Sequence, residues 1–123
     1  MDVDIYTAQY RYKGVDRLDI TVKGNDPIGR VLAPTWGMVK EIKAGTMSQT
    51  EYIWHYLQKV ERSRTINYAE WIKPLEWAQH LGTLTLVCFC PPDSFCHRII
   101  AANYLCSIMN PEGHNLVYKG ERY

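Results

Sequence analysis

Between Thr83 and Phe89 the chain is almost unbroken hydrophobe, bounded by turn signals. The run is strand-length and fits a strand buried on both faces. Behind it, Cys96 to Met109 places Ile100, Tyr104, Leu105 and Ile108 on one helical face and stops at Asn110-Pro111. Leu116 to Tyr118 then reads as a short final strand. Strand, helix and strand make a βαβ unit, which crosses over right-handed. A strand of this kind belongs at the centre of a mostly parallel sheet with helices on both faces. The chain, residues 1–123, is therefore read as one α/β domain, a usual size for a single core.

The upstream half supplies the rest of such a domain. Asp4 to Arg11 reads as a first strand, and Leu18 to Lys23, alternating and β-branched, as a second. Thr35 is placed to cap a short helix through Trp36, Val39 and Ile42, with Gly45 as its stop. Ser48 and Glu51 have the spacing of a capping box before Ile53, Tyr56, Leu57 and Val60. Pro74 suits the first turn of a helix running to Gly82. Only about five residues separate the first two strands, and a parallel crossover normally needs about a dozen, so a hairpin is favoured there, with a tight helical crossover as the alternative if the first strand ends near Ala8.

Composition excludes several classes of partner. Net charge is +1, which gives no field for gripping DNA or a membrane surface. No stretch is apolar enough to span a bilayer, and Met1-Asp2-Val3-Asp4 lacks the basic start of a secretory signal. The four cysteines (Cys88, Cys90, Cys96 and Cys106) crowd together instead of spreading as a disulfide framework would, which points to a reducing cytoplasm.

Ligands of parallel sheets collect beyond the carboxyl ends of the strands. For the central strand that region is Cys90 to Phe95, followed at the helix start by Cys96, His97 and Arg98. A helix N-terminus attracts anions. Arg98 adds a fixed charge and a bidentate fork. His97 can donate or accept, and the setting should lower the pKa of Cys96. Pro91 and Pro92 lack N–H groups, and Asp93 or Ser94 is positioned to cap the helix, so a tight phosphate cradle is not expected. No cysteine has the five-residue spacing to Arg98 that a cysteine phosphatase needs. Cys88, Cys90, Cys96 and His97 resemble a zinc set, but adjacent Cys96 and His97 should diverge at a helix start and Cys88 lies deep in its strand; no metal is expected. Asp19 and Cys96 are the candidates for a catalytic role. Trp36, Tyr12 and Tyr56 are candidates for stacking on a ring, against core packing as the ordinary role.

With Thr83 to Cys90 leading into Cys96-His97-Arg98, the chain resembles domain-of-unknown-function family 488. Leu18–Val22, Ala33–Trp36 and the Tyr52…Tyr56 helix are also similar to compact, phage-type members of that family. The resemblance implies a Rossmann-like three-layer sandwich and a nucleotide-sized pocket, and it brings no cofactor with it. It leads us to expect a binder of an anionic, phosphorylated nucleotide-type small molecule, sequestering a host signal such as an ADP-ribose derivative. The expected ligand-binding residues are Arg11, Tyr12, Trp36, Cys90, Ser94, Phe95, Cys96, His97 and Arg98. Whether Arg11, Tyr12 and Arg17, or Lys23 and Arg30, reach the pocket depends on the topology of the first two strands; the family alignment favours Arg11. The rival readings are an enzyme acting on a nucleotide or nucleoside, and an interaction module that docks another protein or forms a homo-oligomer.

Overall fold

A computed structural model describes residues 1–90 and 95–122. Four strands, β1 (Asp2–Gln9), β2 (Arg17–Asp19), β3 (Thr83–Cys88) and β4 (Asn115–Arg122), form one sheet in the order β2-β3-β1-β4. Every pairing is parallel, with Ile5 opposite Leu84 and Tyr118, and Leu18 opposite Leu86. The apolar run lies in the sheet interior, as its composition requires. The fold is α/β and Rossmann-like, with helices α1 (Trp36–Ala44), α2 (Gln49–Ile66), α3 (Tyr68–Trp71), α4 (Lys73–Gln79) and α5 (His97–Met109). No helix among the described residues is long and apolar enough to cross a membrane.

Local signals set the helix ends. The Thr35 hydroxyl accepts from Met38 N–H, and Gly45 closes α1 in the left-handed region at φ 77°, where a side chain would be strained. Ser48 and Glu51 make both bonds of the capping box of α2. Pro74 sits in the first turn of α4.

The two sheet faces are covered unequally. Val3, Ile5, Leu18, Leu84, Leu86 and Leu116 share one face and join a single apolar cluster. To it α2 contributes Tyr52, Tyr56 and Val60, α3 Trp71, α4 Leu75 and Ala78, and α5 Ala101, Ala102 and Leu105. On the opposite face Ala8, Thr85 and Val87 are buried outside that cluster, and the Tyr10–Asp16 connection is fastened there to Thr83 and Thr85.

That connection corrects the expected hairpin. β2 does not pair with β1; it lies beyond β3 and runs parallel to it. A helix is unnecessary because the descent is small. Gln9 is level with Cys88 and Arg17 with Thr85, three residues lower, or about 10 Å at strand rise. With two strand spacings across, the path is about 14 Å, within the reach of a short extended segment. Asp16 fastens it. Its carboxylate accepts from the hydroxyls of Tyr12 (2.7 Å), Thr83 (2.7 Å) and Thr85 (2.8 Å), and its carbonyl from Thr85 N–H (2.9 Å).

Two strand boundaries also shift. β2 ends at Asp19, short of Lys23, because the Asp19 carboxylate accepts from both the N–H and the hydroxyl of Thr21 and turns the chain. β4 continues past Tyr118 to Arg122 through a bulge, with Gly120 at φ 105°.

Candidate functional site

At the carboxyl ends of β2 and β3 the chain leaves a cavity of about 430 Å³. Thr21 to Lys23 and Cys88 to Cys90 continue from the strands, and Phe95 to His97 come from the start of α5. Trp36, Val39, Ile42 and Lys43 line it from α1, and Tyr52 from α2. The walls are mainly apolar and aromatic. Lys23 and Lys43 are exposed and supply its cationic groups, with the Lys23 ammonium 5.9 Å from the centre of the half-exposed Trp36 ring.

The floor is chemically unusual. Cys96 takes the N-cap position of α5 with an extended backbone (φ −155°, ψ 148°) and makes no side-chain cap, while His97 is the first helical residue. This change of conformation lets the two side chains converge, with Cys96 Sγ 3.7 Å from His97 Nδ1. His97 Nε2 lies 2.7 Å from the carbonyl of Ile20, an acceptor only, so Nε2 carries the hydrogen. Burial lowers the imidazole pKa to about 4, so His97 is neutral near pH 7 with Nδ1 as its lone-pair atom. Cys88 and Cys96 are joined as a disulfide, where separate thiols were expected, and the donor atoms of Cys88, Cys96 and His97 lie within 4.8 Å of one another. Burial pushes the Cys90 thiol up, outweighing the nearby charges of Arg98 and Lys43.

Several sequence expectations change here. Arg98 was expected to hold an anion, but its side chain is fully buried. Nε and Nη2 donate to the two carboxylate oxygens of Glu121 (2.9 and 3.1 Å), and Nη1 donates to Cys88 Sγ (2.9 Å) and to the Cys90 carbonyl (3.1 Å). It is an internal ion pair behind the cavity floor, because the late part of β4 brings a carboxylate to it. Arg11 and Tyr12 line a separate small depression with Gln9, Lys13 and Arg122. The crossover carries them to the other side of the sheet, where Tyr12 accepts from Arg122 (3.1 Å). Asp19 is occupied by Tyr10 and Thr21 and is absent from the cavity wall. Tyr56 is buried, its hydroxyl donating to the Leu32 carbonyl (2.6 Å), so it packs rather than faces a ligand. The expected divergence of Cys96, His97 and Cys88 is also overturned.

The cavity wall does bring together Trp36, Cys90, Phe95, Cys96 and His97. Ser94 lies outside the described residues, as do Pro91, Pro92 and Asp93. Lys43 and Tyr52 were missed. Trp36, Val39 and Lys43 fall three and four apart on a helix, a spacing that signals one shared face. Glu121 had no such signal, since Lys119-Gly120-Glu121-Arg122 reads as a polar tail.

A parallel α/β sheet with a ring-lined cavity beyond its strand ends defines a Rossmann-like domain. Residues 2–108 match the family model DUF488-N3a, described as the active DUF488-N3 subclade, and the chain belongs to this family. No curated protein and no solved structure matches it.

Proposed function

We propose that the cavity takes up a phosphorylated, ring-bearing small molecule of nucleotide type. The observation that carries this reading is the combination, in one cavity of about 430 Å³, of an aromatic wall with lysines exposed beside it. A planar ring fits against Trp36 and Phe95, and Lys23 and Lys43 answer a phosphate. The start of α5, the positive end of the helix dipole, adds to the attraction. The reading no longer depends on Arg98. Held intact, such a ligand would be kept from other proteins, which is the sequestering role.

A second reading is an enzyme acting on the same ligand. Two observations favour it: the matched subclade is described as active, and the cavity floor presents two cysteines and a neutral imidazole. Native mass spectrometry of protein purified from cells, followed by heat release of the bound fraction, tests both. A nucleotide-type anion recovered unchanged after incubation supports binding; its conversion on incubation supports catalysis. A ligand-free protein that takes up none of a panel of nucleotides overturns both.

A further inference from the structure

Cys88 ends the central strand, while Cys96 and His97 open the helix that follows it. The return of the chain brings their donor atoms to one point at the cavity floor. Cys96 Sγ and His97 Nδ1 stand 3.7 Å apart. Two ligands of one tetrahedral zinc, at about 2.3 Å for sulfur and about 2.0–2.1 Å for nitrogen, stand about 3.6 Å apart. The imidazole is already oriented for ligation, because its other nitrogen is fixed on the Ile20 carbonyl at 2.7 Å.

A relaxed disulfide between Cys88 and Cys96 fits less well. Their Cα atoms are 7.9 Å apart, and beyond about 7 Å a bridge cannot close without moving the backbone. Around the sulfurs, Arg98 donates to Cys88 Sγ and is itself held by Glu121, the outer layer of hydrogen bonding that metal-bound thiolates use. Charge also balances: a divalent cation with two thiolates and a neutral histidine is neutral, and so is the Arg98–Glu121 pair.

We propose that Cys88, Cys96 and His97 bind one divalent transition metal, zinc by the softness of its donors, with a further coordination position open to the cavity. Once a thiol reductant has opened the Cys88–Cys96 pair to two thiols, the ion takes the place between the sulfurs and the two thiol protons pass to solvent. Three protein ligands and an open side are the arrangement of a site that receives a water or a substrate atom. Cys90 lines the same cavity but is not part of the donor cluster. The proposal is independent of the nucleotide reading, because metal uptake is measured with no organic ligand present.

The test uses the full chain, reduced, stripped with a chelator and reloaded with zinc or cobalt(II). Wild-type protein should bind a single ion per chain. With cobalt it should show thiolate-to-metal charge transfer and the intense visible bands of tetrahedral coordination. Cys88→Ser, Cys96→Ser and His97→Ala should each weaken uptake by more than about tenfold, whereas Cys90→Ser and Cys106→Ser should leave it unchanged. Far-UV circular dichroism identifies the folded variants, and those carry the comparison. Folded, reduced wild-type protein that takes up neither metal overturns the proposal, as does loss of the cobalt spectrum in Cys90→Ser.

Discussion

Replacing Glu121 by glutamine separates the two accounts of Arg98. The guanidinium side chain is 0% exposed and the Glu121 side chain 9%, and the two are joined by a fork of two hydrogen bonds. Removing one partner of such a pair strands a buried charge, at a cost of about 3–5 kcal/mol. Glutamine keeps one acceptor oxygen, and Cys88 and Cys90 still receive Nη1, so the lower end applies, about 3 kcal/mol. At a urea slope of about 1.5 kcal/mol per molar, the unfolding midpoint should fall by about 2 M with the slope unchanged. The double variant Arg98→Met, Glu121→Leu should recover most of the loss, since no orphan charge remains. Were Arg98 instead available to a ligand, Glu121→Gln would hardly move the midpoint and would strengthen anion binding. A shift below about 0.3 M would refute the internal pair.

Acid should destabilise the fold through two carboxylates. Asp16 is pushed up by burial but brought lower overall by hydrogen bonds from Tyr12, Thr83 and Thr85 and by the Arg122 charge. Glu121 is likewise pushed up by burial and brought lower overall by Arg98 and Thr7. Both folded-state pKa values lie below the unfolded ones, so their stabilisation is complete above about pH 4.5 and is lost as pH falls through the folded values. Denaturant midpoints measured from pH 7 to pH 2.5 should show this limb, and Asp16→Asn should flatten it while costing about 2 kcal/mol at neutral pH. At the α2 cap, Ser48→Ala should cost about 1 kcal/mol in the same assay, because it removes the acceptor of the Glu51 N–H bond.

The chain announces those parts of the fold whose cause is local. The buried strand is carried by its apolar run, the α1 and α2 starts by Thr35 and Ser48, and α5 by its periodic face. What stayed hidden is set by distant partners. Nothing near Arg11 says that β3 will lie between β1 and β2, because the Asp16 clasp is made with threonines far along the chain. Arg98 reads as a ligand grip until Glu121 is brought to it by a strand whose end looks like a tail. Adjacent Cys96 and His97 were expected to diverge, and converge because one is extended and the other helical. The position of the cavity was thus legible from the buried strand and the helix start, and Lys23 was one of two alternatives there, while Lys43 was hidden because it depends on how α1 packs.

The central claim, that the cavity between α1, α2 and the start of α5 receives the ligand, is tested most directly by backbone amide NMR. Uniformly ¹⁵N-labelled protein would be titrated with a nucleoside diphosphate, alongside the Lys23→Glu, Lys43→Glu double variant. The account requires saturable shifts concentrated at Lys23, Trp36, Lys43, Cys90 and Phe95, abolished by the charge reversal. Shifts centred on Arg11, Tyr12 and Lys13 across the sheet, or no saturable shifts for any nucleotide, would contradict it.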